Sequence, residues 1–418
     1  METEFDKKKV LALVGIVAAT GLIGYIIYVV FFKSAAPAAV TTPTEQTAGG
    51  GLSPSGQATP GTNVVTPQAP EQQVFSSASQ ISPLATAGSK IVSVTPIVTL
   101  PTVGVTAAAN GNDLQFYNSV DGKFYKINSD GTPTTLTPDS FPNVKTVEWS
   151  PNKSLAAMSF PDGSKIVYDF KAQKQYTLPK HWDSITFSPD STQLYGKTQS
   201  PDPELRFLFS SNVDGTGATP IEPLGNNGDK VIIAPSPNNQ VIAFSNTADP
   251  IGGGAERMGM LLIGKNHENF KQMTIEGLGF QPKWSPNGDK VLYSAYNRST
   301  GLAPILWVDG GTDSTVGQLK NAFPIKTWAS KCTFASNDEA ICAVPNPDTL
   351  LPGIGFAPQL ATNTDDTIYK INLKSGLQTI VGKPDGNRTI SEVTASEDGQ
   401  YLYMKDQNSG ELLKMRLK

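Results

Sequence analysis

The stretch QPKWSPNGDKVLYSAYN, residues 281–297, sets an aromatic residue before Ser285-Pro286, continues with Asn287-Gly288-Asp289, and then alternates apolar and polar side chains. Two readings compete for it. Asn287, Gly288 and Asp289 have the groups to cradle an ion or a phosphate. They are equally the residues of a tight hairpin turn, because Gly takes positive φ without steric cost and Asn and Asp bond their own backbone. Recurrence decides between the two. Trp149-Ser150-Pro151-Asn152 is followed by LAAMSF, Phe187-Ser188-Pro189-Asp190 by QLYGKT, and Pro235-Ser236-Pro237-Asn238 by VIAFSN. Weaker copies are Phe334-Ala335-Ser336-Asn337-Asp338 before AICAV, VTASEDGQYLYMKD at 393–406, and VTAAANGNDLQFYN at 105–118. A calcium loop supplies several oxygen ligands at fixed spacing, as in D-x-[DN]-x-[DN]-G, and none of these copies has that spacing. The stretch is therefore read as a repeated turn.

Counted from Ala107, the anchors fall at 107, 149, 187, 235, 284, 334 and 395. That spacing is near the roughly 40–50 residues of propeller repeats. Inside each period an alternating run ends at the anchor and a second run leaves the turn. A third run often closes on Asp-Gly, as in KFYKINSDG (123–131), FLFSSNVDG (207–215) and ILWVDGG (305–311), and a short fourth run such as TTLT (134–137) or QYTLP (175–179) completes the unit. Alternation with period two between Gly-containing turns denotes antiparallel strands. Four short strands per repeat denote a propeller blade. The fold expected is all-β, a β-propeller of seven four-stranded blades, or six if the copy at 107 is not a blade. The last anchor leaves room for three strands only. KIVSVTPIVTL, residues 90–100, has strand composition and no blade of its own, so it is expected to supply the missing fourth strand and close the ring.

The Ser-Pro-Asn/Asp-Gly turn before a strand, with Asp-Gly after the third, resembles the propeller repeats of TolB and its relatives, and WD40-like repeats in general. The same repeat type is found in the propeller domains of prolyl-oligopeptidase-type peptidases. The resemblance covers about residues 103–418 and implies the fold; it implies little about function, because such propellers serve many roles. TolB's amino-terminal α/β domain has no counterpart here. No G-x-S-x-G elbow or hydrolase domain is present, so the peptidase relatives lend no catalytic residues.

Residues preceding the repeats differ in kind. Val10 to Phe32 is a run of 23 residues without a charge, after Lys7, Lys8 and Lys9. About 20 apolar residues span a bilayer, and the basic flank places the amino terminus inside. The expected plan is a cytoplasmic amino terminus at 1–9, a signal anchor at 10–32, a disordered linker at 33–88 and the propeller at 89–418, outside the cytoplasm at a bacterial cell envelope. A cleaved signal peptide is the alternative for the first segment, though its apolar region would be shorter. The linker is rich in Pro, Thr, Ala, Ser, Gly and Gln, and beyond Lys33 its charges are Glu45 and Glu71. Such a composition does not bury enough apolar surface to fold, and it acts as a tether with a reach of roughly 40 Å.

The 33 basic and 37 acidic residues nearly balance, which gives no footprint for nucleic acid. With two His, His181 and His267, a His-based metal centre is disfavoured, and no cofactor is expected. Cys332 and Cys342 flank the sixth turn at equal distance from Asn337, opposite one another on adjacent strands, which suits a disulfide in an oxidising compartment. Buried free thiols are the alternative. Asp309, Asp313, Asp365, Asp366, Glu256 and Arg257 lie near turns, and nothing in the sequence brings any two together, so they are read as solvated surface. Trp149, Trp284, Phe187 and Phe334 are read as packing between blades.

The connections between second and third strands grow unevenly. NTADPIGGGAERM (246–258), with Glu256 and Arg257, and PNPDTLLPGIGFAPQLATNTDD (345–366), with Leu350, Leu351, Ile354, Phe356 and Leu360, are the longest. Insertions gathered on one face of a repeat protein mark its binding face. Those apolar residues either fold back over the propeller or stand exposed as a contact. The function expected is a membrane-tethered binding scaffold without catalysis, monomeric, meeting a protein, peptide or envelope glycan on the long-loop face. The alternatives are an enzyme acting on glycans or peptides at the propeller mouth and a structural part of a cell-surface assembly.

Overall fold

A computed structural model describes residues 91–417 apart from 129–130, 249–250, 252–255, 267 and 269. The expected anchor at 10–32 and linker at 33–88 lie outside the described residues. Among the described residues no helix is long and apolar enough to cross a membrane.

These residues form seven four-stranded antiparallel sheets, one per anchor. Blade 1 is built from strands A to D in chain order, Thr102–Ala107, Leu114–Asn118, Lys123–Ile127 and Pro133–Thr135. Blades 2 to 6 repeat this order over 146–178, 182–223, 231–275, 278–323 and 332–382. Blade 7 takes strands A to C from 390–416 and its D strand from Thr95–Val98, which pairs antiparallel with Leu412–Arg416. The ring is thus closed by the start of the domain, as the composition of 90–100 indicated, and the A strands of neighbouring blades stand side by side around the centre.

The repeated turn has a specific chemical reason. In blades 2, 3, 4 and 7 the hydroxyls of Ser150, Ser188, Ser236 and Ser396 donate to Asn152, Asp190, Asn238 and Asp398 at 2.8, 2.5, 2.6 and 2.6 Å. Each Ser Oγ also accepts the amide that opens strand B, from Leu155, Gln193, Val241 or Tyr401. Blade 5 departs slightly: Ser285 donates to Asp289, and the Asn287 backbone amide donates to the Asn337 side chain of blade 6. The fourth residue of the turn is left-handed throughout, at Lys153, Ser191, Asn239, Gly288 and Gly399. Gly288, at φ 70°, needs its missing side chain for a second reason: a Cβ there would come 2.8 Å from the Asn238 backbone nitrogen of blade 4.

Packing between blades carries the core. Trp149 sends its indole N–H to the Gly104 carbonyl of blade 1 at 2.5 Å, and Trp284 sends its own to the Ala234 carbonyl of blade 4 at 2.7 Å. The Trp284 ring stacks on Phe244, centroids 5.4 Å apart. An aromatic residue at the anchor therefore fills the wedge between two sheets and satisfies its one donor there. Cys332 and Cys342 face one another across strands A and B of blade 6 and are joined as a disulfide.

Candidate functional site

Strand A of each blade runs toward the repeated turn, so the B–C loops and the links from D to the next A all leave from the opposite face. On that loop face, contacts among the described residues join the B–C loops of blades 4 to 7 in series. The Glu256 carboxylate accepts from the Arg298 backbone amide at 3.2 Å and pairs with its guanidinium at 3.3 Å, joining the loops of blades 4 and 5, and Arg257 pairs with Glu276 at 3.2 Å. Asn297 caps a short 3-10 turn in blade 5 with a reciprocal pair of bonds to Thr300. The Gly355 amide of blade 6 then donates to the Leu302 carbonyl at 2.9 Å, and a Cβ at Gly355 would collide with that carbonyl and with Tyr296. Gln407 of blade 7 reaches the Gln359 carbonyl at 2.8 Å.

The blade 6 loop divides its apolar residues between the two roles expected of them. Ile354 is buried and Leu350 partly buried against Trp328, whose indole N–H donates to the Gly355 carbonyl at 2.9 Å. Leu351, Phe356 and Leu360 remain 64%, 66% and 57% exposed. The base of the loop is held by a buried ion pair: Lys331 Nζ lies 2.6 Å from Asp366 Oδ2, and the same carboxylate accepts from the Thr364 hydroxyl and the Ile390 amide. Burial pushes the Lys331 amine down from its ordinary range, and Asp366 opposes that shift.

The solvated-surface reading of the acidic residues is corrected here. Asp309 and Asp366 are buried. Asp309 accepts the Gly310 and Gly317 amides at 2.7 and 2.8 Å, and burial raises its pKa from the usual carboxylate value. It shapes the C–D turn of blade 5, where Asp313 accepts the Lys271 amide. Asp365 pairs with Lys383 on the loop face. A turn residue is buried when the neighbouring backbone amides need an acceptor, which spacing along the chain does not show. The set is divided between two faces, and no group of three His, Cys, Asp or Glu fit to hold a metal occurs among the described residues.

Two features escaped the sequence reading. One is a cleft of about 510 Å³ on the loop face of blade 3 and its link to blade 4, lined by Asp183, Lys197, Gln199, Arg206, Asn226 and Asp229 among others. Its cations are already engaged. Arg206 bonds the Ser200, Pro201 and Gly225 carbonyls, and Lys197 bonds those of Gly228 and Val231. What remains toward solvent is amide, hydroxyl and carboxylate, with Gln199 donating to Asp183 at 3.0 Å. No spacing in the sequence joins 183 to 199 and 229.

The second feature is the ring of A-strand residues one position before the anchor. Glu148 accepts from the Thr186 hydroxyl at 3.1 Å, and Lys283 donates to the Cys332 carbonyl. Burial pushes the Lys283 amine down to about 8, with Glu392 of blade 7 opposing it. The position was legible as a repeat column, but its inward direction was not.

No protein-family model matches this chain, and no curated protein matches it. Solved structures do. The β-propeller domain of Cps50 (Swd1) from Myceliophteria thermophila is 11% identical at a TM-score of 0.50, covering 78% of this chain and 100% of that one. An oligogalacturonate lyase in complex with manganese is 14% identical at 0.51, covering 81% and 96%. The oligogalacturonate lyase of Vibrio parahaemolyticus is 12% identical at 0.50, covering 80% and 96%. At these identities the likeness establishes the propeller alone.

Proposed function

We propose that this chain is a membrane-tethered, extracytoplasmic β-propeller that works as a binding scaffold at the cell envelope and carries out no turnover. The observation that supports this most directly is the loop-face cleft of blade 3. Its volume of about 510 Å³ suits a small ligand or the end of a larger one. Its Lys and Arg are spent on backbone carbonyls, so it offers hydrogen-bond acceptors and amide donors without a free cation. Such a surface favours a hydroxyl-rich glycan or a peptide carrying positive charge over an acidic glycan. The TolB-like repeat pattern and the anchor reading of residues 10–32 agree with a role outside the cytoplasm.

The test is co-purification of the full chain from detergent-solubilised membranes, wild type beside the Asp183→Ala Gln199→Ala variant. Loss of the captured envelope component in a variant with unchanged melting supports the cleft as the binding site. Equal capture by both overturns it. Degradation of the captured component by the purified protein overturns the scaffold reading.

A further inference from the structure

We propose that the apolar tips of blades 5 and 6 rest on the bilayer in which this chain is anchored, holding the propeller by one sector of its loop face. The inference rests on the anchor reading above and adds to it a second point of contact with lipid. Leu351, Phe356 and Leu360 are more than half exposed, and Leu302 of the neighbouring loop is 36% exposed. They are not strays on a slack loop. The Gly355 amide to the Leu302 carbonyl, and the Trp328 indole to the Gly355 carbonyl, fix both loops from beneath. Apolar side chains displayed on a rigid support lose little freedom when they are covered.

The place where the chain enters the domain selects lipid as the occupant. Ile91, the first described residue, is itself 69% exposed. The next residue, Val92, donates its amide to the Lys383 carbonyl at 2.7 Å and accepts from the Asp385 amide at 3.0 Å. Lys383 in turn pairs through its ammonium with Asp365, at the end of the blade 6 loop. The tether from the membrane therefore joins the propeller through two contacts that lead directly to the apolar loop. On the anchor reading the domain stays close to the surface, and tethering raises its local concentration there, so a weak patch suffices. Arg298, 89% exposed on its side chain and paired with Glu256, stands four residues before Leu302. Docking through blades 5 and 6 leaves the cleft of blade 3, across the ring, free for its ligand.

The test uses the full chain reconstituted in vesicles of phosphatidylcholine and phosphatidylglycerol carrying brominated acyl chains. Bromine quenches indole fluorescence at close range. Phe356→Trp reports on the loop, and Leu377→Trp, 65% exposed on the opposite face, is the control. After subtraction of wild-type quenching, the Phe356→Trp variant is expected to be quenched at least threefold more than Leu377→Trp. Equal quenching overturns the docking while the anchor stands, provided the protein floats with the vesicles after alkaline extraction. Failure to float removes the anchor reading and the docking with it. An unquenched Phe356→Trp whose emission shifts to the blue only on adding envelope protein assigns the patch to a protein partner instead.

Discussion

Lys283 shows how a single position of the repeat can work against the stability of the ring. It stands where blade 3 has Thr186, and enclosure among the A strands lowers its pKa to about 8 from an ordinary 10.5. Below pH 8 the amine is protonated in both folded and unfolded chains, and the folded state bears the full cost of enclosing a charge. Between about 8 and 10.5 the unfolded chain binds more protons, so folding stability rises with pH across that window. The expectation is that wild type gains stability relative to Lys283→Met as pH is raised from 8 to 10, measured by urea unfolding of both proteins. A difference that stays flat with pH would show that the amine is not enclosed. The anchor serines are legible from sequence in a way that Lys283 is not. Ser150, Ser188 and Ser236 act on groups within five residues of themselves. The environment of Lys283 comes from Cys332 and Glu392, far along the chain.

At the scale of elements, the blade 6 loop is a separate cooperative piece laid over a rigid sheet. Its regular part amounts to three short 3-10 turns, Pro347–Thr349, Ile354–Phe356 and Pro358–Leu360, and its attachment depends on close approach at Gly355. Gly355→Val drives a side chain into the Leu302 carbonyl and the Tyr296 ring, an overpacking worth about 1–3 kcal/mol. That energy is released by undocking the loop, leaving the blade intact. Deuterium uptake over 346–361 is expected to rise several-fold while the melting temperature changes little. A global loss of stability would mean that the loop is part of the blade's core. The long-loop reading correctly identified where the chain departs from its repeat. It left open the direction of each apolar side chain, because Trp328, which takes Ile354 inward, belongs to the link that precedes blade 6, outside the loop itself.

For the whole molecule, stability depends on closing the ring. Thr95–Val98 covers the edge of Leu412–Arg416, and Ile97 and Val98 are buried at 7% and 0% exposure. Removing residues 91–98 strips four core side chains, Val92, Val94, Ile97 and Val98, worth about 1.5–3 kcal/mol each, and exposes a row of unpaired backbone groups. A fall of more than about 10 °C in melting temperature, with association of the variant in light scattering, is expected from a loss of that size. An unchanged transition would show that blade 7 stands with three strands.

The local order of strands and turns was written in the sequence because each depends on neighbours a few residues away. Alternation sets strand faces, Ser-Pro-Asn/Asp closes a hairpin on its own atoms, and seven copies of one unit favour a ring, which leaves only short, protected edges. The pairing of Cys332 with Cys342 belonged to the same class, since both lie on one hairpin. The tertiary structure alone decided which carboxylates were buried, which loop residues faced out, and how Asp183, Gln199 and Asp229 came to share a cleft. Those outcomes depend on contacts between blades and links, whose separation along the chain carries no periodic signal. The propeller was therefore readable from a repeat, and its surfaces became readable once the blades stood side by side.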